Sequence, residues 1–216
     1  VKTTADSANQ KTATLETGLN GLNTKFDNLR VGGTNLLLYS SDPWQAPSGY
    51  YSFYNAAKTS ETYNGAVVYK TRGAWSRVGI NLNNHLVERG LLKVGDVLTY
   101  SVLAKTYQET PIQSRLLIRY ANQSSGENPA AGKMELINLT NEWQKVSVTF
   151  TVTEKMLSED HRVDCLVWEQ TTNSESGKYV YYTCNKIERG NVATPYSQAP
   201  EDTAQDISSL SSELSQ

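Results

Sequence analysis

The sequence predicts a mainly β fold, a two-sheet sandwich or jelly roll, held between a coiled-coil helix at each end. Three features carry this prediction. Short runs rich in Val, Leu, Ile and Tyr recur from about residue 34 to 199 with turn residues between them. Small or apolar positions step by three and four from Ala5 to Leu29. The same stepping restarts after Pro200.

In the first segment, residues 1–31, one column is Ala5, Thr12, Leu19 and Phe26 and the other is Ala8, Leu15, Leu22 and Leu29. Two narrow columns flanked by Lys11, Glu16, Asn23 and Lys25 form a heptad seam, not the broader stripe of a helix docked on its own domain. Gly18 and Gly21 each cost about 1 kcal/mol relative to Ala. The helix is therefore expected to need partner chains, through Leu15, Leu19, Leu22, Phe26 and Leu29. Val31-Gly32-Gly33 is a natural stop.

The central segment, 32–199, is expected to hold strands at Asn35–Tyr39, Ala66–Tyr69, Trp75–Leu82, Val97–Lys105, Arg115–Tyr120, Met134–Ile137, Val146–Val152, Val163–Gln170 and Tyr179–Ile187. Turn chemistry separates them, as in Tyr63-Asn64-Gly65 and Lys93-Val94-Gly95-Asp96. A second seam opens in residues 200–216, where Thr203, Ile207, Leu210 and Leu214 follow the helix start Pro200-Glu201-Asp202-Thr203. The start at Val1 and a seam still running at the end suggest a piece of a longer chain.

Composition narrows the function. A net charge of −2, from 20 basic and 22 acidic residues, offers no footprint for nucleic acid or anionic lipid. No leader pattern or apolar run long enough to span a membrane is expected. The 13 Tyr and 4 Trp outnumber the 3 Phe, a bias toward rings with a polar handle that suits a wet binding surface. With His85 and His161 alone and no nucleophile or zinc motif, no catalytic residue and no metal site is assigned. Cys165 and Cys184, without metal-ligand spacing, read as free thiols.

Four segments occur in order: Gly33-Thr34-Asn35-Leu36-Leu37-Leu38, Leu98 to Lys105, Asn141 to Phe150, and Lys186 to Tyr196 followed by Ala199-Pro200-Glu201-Asp202. Together they resemble the carbohydrate-binding modules of tail-tip and receptor-binding proteins from phages of Gram-positive lactic acid bacteria. The resemblance implies a jelly roll with a sugar chain lying across one concave sheet, in a homotrimeric fibre at the virion's tail tip. The implied partners are a bacterial cell-wall polysaccharide and other baseplate proteins. It also implies an amide ligand on a late strand, and it raises a structural calcium ion. Asp42, Asp164 and Glu188 are the oxygen donors to inspect for that ion, although their spacing reads more simply as solvated carboxylates. No other cofactor is expected.

Strand alternation assigns faces from the residues themselves. Burying Val78, Ile80 and Leu82 leaves Trp75, Arg77 and Asn81 outward. Burying Leu116, Ile118 and Tyr120 leaves Arg115 and Arg119 outward. Burying Tyr100, Val102 and Ala104 leaves Lys105 outward, with Tyr107 beyond it. In Val163–Gln170 neither parity is clearly more apolar, and the resemblance favours Trp168 and Gln170 as open. Flat rings beside forked polar groups suit a sugar's C–H face and hydroxyl rim, and guanidinium forks suit phosphate. The candidate carbohydrate site is therefore Trp75, Arg77, Lys105, Arg115, Arg119, Trp168 and Gln170, with Trp143 expected to be a packing anchor. An inert spacer and a two-carboxylate glycosidase are the alternatives.

Overall fold

The computed structural model describes residues 2–73, 76–120, 134–157, 163–169 and 178–213; along 112–120, 134–136 and 163–169 it is the backbone course that is described. The chain divides into two compact units, residues 1–30 and 31–216. The first unit is the helix α1 (Lys2–Asp27). Thr12, Thr14, Thr17 and Thr24 each donate a hydroxyl to the carbonyl four residues back. Its seam residues Leu15, Leu19 and Leu22 lie open, Leu15 at 73%. The helix ends at Asp27, so Leu29 falls beyond it instead of extending the seam.

The second unit holds ten strands among the described residues: β1 (Tyr51–Tyr54), β2 (Ala56–Tyr63), β3 (Ala66–Thr71), β4 (Arg77–Asn81), β5 (Val97–Thr106), β6 (Ile112–Tyr120), β7 (Met134–Leu139), β8 (Gln144–Thr151), β9 (Val163–Glu169) and β10 (Val180–Arg189). A short helix α2 (Glu154–Leu157) precedes β9, and α3 (Pro200–Glu213) closes the described chain. The strands form two five-stranded antiparallel sheets, β1-β4-β9-β6-β7 and β2-β3-β10-β5-β8. From β3 onward nearly every connection crosses from one sheet to the other. The core between them follows from alternation. Tyr69, Tyr100, Val102, Val148 and Tyr182 of the second sheet meet Val78 and Ile80 of the first.

Seven of the expected strands appear at full length or with ends moved by a few residues, and Trp75–Leu82 shortens to β4 because Asn83–Val87 winds into a π-helical turn. The expected strand at Asn35–Tyr39 does not form. Leu37 is nonetheless fully buried, and one backbone bond, Leu36 N–H to the Ile187 carbonyl at 2.8 Å, ties the segment to β10. The reason is Asn35, whose buried amide fixes the segment without a ladder. Its Nδ2 donates to Ser40 Oγ (3.0 Å) and to the carbonyls of Asn185 (3.1 Å) and Ser197 (2.9 Å), while its Oδ1 accepts from the N–H groups of Leu37 and Ile187.

The strands β1 and β2 escape sequence reasoning because the edge strand β2 is exposed on nearly every residue and has no apolar alternation. The Asn64-Gly65 turn between β2 and β3 does behave as expected. Both residues have positive φ, 49° and 76°, as a two-residue hairpin loop matched to strand twist requires. At Gly32 the reason for glycine is proximity, since a Cβ there would lie 2.0 Å from the Arg189 carbonyl oxygen.

In β10 a bulge between Thr183 and Lys186, with Cys184 at φ 61°, turns Asn185 into the core. There Asn185 Oδ1 accepts from the hydroxyls of Tyr100 (2.8 Å) and Tyr69 (3.1 Å). Cys184 is a free, buried thiol whose pKa burial raises. The helix α3 begins at Pro200 as expected and is anchored at its start. Asp202 accepts from Tyr39 N–H at 2.6 Å, and Glu201 pairs with Arg89. Farther along, Ile207 and Leu210 are exposed, and Leu214 lies outside the described residues.

Candidate functional site

The predicted site residues divide between the two sheets. In the first, the core residue Ile80 pairs with Cys165, and Cys165 pairs with Ile118. Cys165, Val167, Leu116 and Ile118 thus share the core parity, and Asp164, Leu166, Trp168, Arg115, Leu117 and Arg119 take the opposite one. Arg115 stands opposite Trp168, and Arg119 opposite Asp164. Arg77 has the outer parity of its strand and is paired with Tyr54 of β1. Its guanidinium lies 5.5 Å from the centre of the half-exposed Tyr54 ring. Tyr54, Arg77, Trp168 and Arg115 therefore occupy outer positions on four consecutive strands. Trp75 and Gln170 lie outside the described residues.

Two expectations need correction. Asn81 has outer parity but is buried, donating to the Gly49 carbonyl (2.8 Å) and Asn84 Oδ1 (2.6 Å) and accepting from Asn83 N–H (3.1 Å). The turn following β4 folds back over it, so that end of the face is closed. Lys105 is indeed on the outer side of β5, but β5 belongs to the second sheet, so it cannot share a groove with Arg77, Arg115, Arg119 or Trp168. Strand parity gives a face within a sheet and never says which sheet a strand joins.

On that opposite face Lys105 has aromatic company. Its ammonium sits 4.8 Å from the Trp143 ring centre and 5.8 Å from that of Tyr181. Tyr63 leans on Trp143 with centroids 5.3 Å apart, and Tyr179 lies 6.3 Å from Tyr181. Lys70 and Arg72 cover Tyr179 at 4.5 Å and 5.7 Å. Burial first, then the charge of Glu61, hold the Tyr181 phenol above its ordinary pKa. Trp143, expected as a packing anchor, is partly buried in this array and packs against Tyr63. The outward parity of Lys105 is legible along β5, whereas the sheet that β5 joins is not.

The carboxylates and histidine within the second unit do structural work. Glu188, fully buried, accepts from Gly33 N–H (2.8 Å), Thr194 N–H (2.8 Å) and Thr194 Oγ1 (2.7 Å), and its charge is met by the Lys186 ammonium 3.7 Å away. Asp42 caps the turn Pro43–Gln45 and pairs with Lys58. The side chain of Asp164 lies outside the description, and among the described residues no three His, Cys, Asp or Glu side chains converge as a metal site would require.

His85 is buried, accepts from Leu38 N–H through Nδ1 (3.2 Å) and faces the Tyr50 carbonyl with Nε2 (3.2 Å), which fixes the neutral Nε2–H form. A cavity of ≈ 330 Å³ between α3 and the 39–45 loop is lined by Asp42, Asp202 and Asp206 with Tyr39. Asp202 is already occupied by Tyr39 N–H there.

No family profile and no characterised protein sequence matches the chain. Among solved structures, the xylan-binding domain CBM22-1 of Paenibacillus barcinonensis Xyn10C superposes with a TM-score of 0.49 at 11% identity, over 76% of this chain and 99% of that one. The C-terminal family 22 carbohydrate-binding module of Clostridium thermocellum Xyn10B gives 0.47 at 14%, over 73% and 98%. A tripod protein from the baseplate of bacteriophage Tuc2009 gives 0.44 at 19%, over 81% of this chain and 61% of that one.

Proposed function

We propose that this chain is a non-catalytic jelly-roll module of a trimeric phage tail fibre or baseplate protein, and that it binds a bacterial cell-surface polysaccharide with the outer face of its first sheet. The observation that carries the reading is the run of Tyr54, Arg77, Trp168 and Arg115 at outer positions of four consecutive strands. Rings to stack on a sugar's C–H face alternate there with forks that hydrogen-bond its hydroxyls or a phosphate. Arg119, which has the outer parity of β6 and stands opposite Asp164, and Trp75 and Gln170 are the further members of the proposed site. Purified cell-wall polysaccharide is the probe. Arg77→Ala with Trp168→Ala is expected to weaken its binding at least about tenfold while the fold is retained. Arg115→Gln, which removes a charge and little volume, should also weaken it. Unchanged binding in both variants would leave an inert spacer as the better reading, and release of reducing ends would make the chain a glycosidase.

Assembly is the second part of the proposal. The support is α1 with Leu15, Leu19 and Leu22 open along one seam, and Ile207 and Leu210 open on α3. Such leucines bury against copies of themselves in a coiled coil. Sedimentation of the full chain should give a trimer, and Leu19→Asp with Leu22→Asp should give a monomer whose sandwich still unfolds cooperatively. A parent chain that sediments as a monomer at all concentrations would remove the trimer.

A further inference from the structure

The outer face of the second sheet carries an array that the proposed function does not use. Tyr181 pairs with Lys70 on one side and Lys105 on the other, and the Ala104–Gln144 register brings Trp143 beside Lys105. Their strand neighbours Tyr69, Tyr182 and Ala104 are buried in the core, so alternation turns the row outward. Three strand spacings of about 4.8 Å make it about 14 Å long. A second row adds Arg72 and Tyr179, and Tyr63, at 39% exposure, reaches in over Trp143.

Charge distinguishes this face. Lys58, Arg89, Lys186 and Arg189 each have a carboxylate partner. Lys70, Arg72 and Lys105 have none among the described residues and meet rings instead. A cation over a ring in water gains little, and it keeps its attraction for an anion. Glu61 is the acidic group felt at Tyr181, and the exposed Glu142 adjoins Trp143 in the chain.

We propose that this face is a second binding surface, for an acidic saccharide carrying carboxylate or phosphate groups. Trp143, Tyr63 and Tyr181 offer flat faces to the sugar rings, and Lys70, Lys105 and Arg72 take the acidic groups as charge-assisted partners. The surface lies on the opposite side of the sandwich from the Arg77 and Trp168 row and does not depend on it.

Calorimetric titration of the full chain tests this with three probes of equal length: an oligogalacturonate, a phosphorylated oligosaccharide and a neutral oligosaccharide. At least one acidic probe should bind, more weakly as salt rises, and the neutral one should bind less well. Lys70→Gln with Lys105→Gln should weaken the acidic probe about tenfold with thermal unfolding unchanged. With the first face disabled by Arg77→Ala and Trp168→Ala, the acidic probe should still bind through Lys70 and Lys105. Absence of binding by both acidic probes, equal affinity for the neutral one, wild-type affinity in the Lys70/Lys105 variant, or no remaining binding of the acidic probe in the Arg77/Trp168 variant would each overturn the proposal. Loss of cell-wall polysaccharide binding in the Arg77/Trp168 variant reports on the other face alone, so the two readings fail separately.

Discussion

Lys186→Met is expected to lower the free energy of unfolding by about 3–5 kcal/mol, the cost of breaking a buried ion pair from one side. The side chain of Lys186 is 1% exposed and that of Glu188 0%, with 3.7 Å between Nζ and Oε2. The lysine uses its three protons on the Gly33 carbonyl (2.8 Å), Thr194 Oγ1 (2.7 Å) and the Pro195 carbonyl (2.8 Å). It thereby clamps the chain entering the sandwich and the chain leaving β10 to one strand. Burial lowers the Lys186 pKa, with Glu188 opposing. Burial alone would raise Glu188, but the Thr194 and Gly33 hydrogen bonds and the lysine charge outweigh it and hold the carboxyl below its ordinary value. Methionine fills the volume and leaves a buried carboxylate and two carbonyls without their partner. Adding Glu188→Gln to Lys186→Met should recover part of the loss, because the uncompensated charge goes. Urea unfolding measures both, and a single-variant loss below about 1 kcal/mol would mean that the clamp contributes no more than a surface pair.

The second large effect is a fall in stability of about 2 kcal/mol between pH 7 and pH 5, carried by His85. Burial, opposed by the Tyr50 carbonyl and assisted by the Arg89 charge, pushes its pKa down to about 3. An unfolded histidine titrates near about 6.5. Between those values the unfolded chain holds a proton that the folded chain refuses, so stability falls as pH drops from 6.5 toward 3 and is flat above. Glu188 acts in the same direction but only below about 4.3, the ordinary glutamate pKa, whereas Asp202, raised by burial, acts in the opposite direction above its ordinary value, so the comparison with a histidine variant is what assigns the slope. His85→Asn should flatten the slope whatever its stability at pH 7, since its amide oxygen can still accept from Leu38 N–H but cannot titrate. Equal slopes in parent and variant, measured by urea unfolding at both pH values, would assign the acid sensitivity elsewhere.

How much of this was legible depends on whether the signal was local. Period-two alternation in β4 and β5 and the Asn64-Gly65 hairpin are written in adjacent residues, and so is the three- and four-residue stepping along α1. The outward parity of Arg77, Arg115, Arg119 and Lys105 was equally readable. Which of them face the same solvent was not. Lys105 and Arg77 have the same alternation and stand on opposite sides of the sandwich, because sheet membership is set by hydrogen bonds between segments far apart in the chain.

The two asparagines show the same division. Asn35 and Asn185 both fall inside runs that the sequence reads as strands. Asn35 is buried among backbone groups contributed by chain about 150 residues away in sequence, and Asn185 is turned by a β-bulge to the Tyr69 and Tyr100 hydroxyls. The sequence by itself determined that the fold is mainly β, where the two terminal helices lie, and the side of β4 and β5 on which Arg77 and Lys105 stand. Tertiary structure alone decided the pairing that separates Lys105 from the Arg77 row, closes Asn81 over and seals Lys186 with Glu188. Side-chain period is a property of one strand, whereas neighbours are chosen by the burial and backbone satisfaction of the whole sheet.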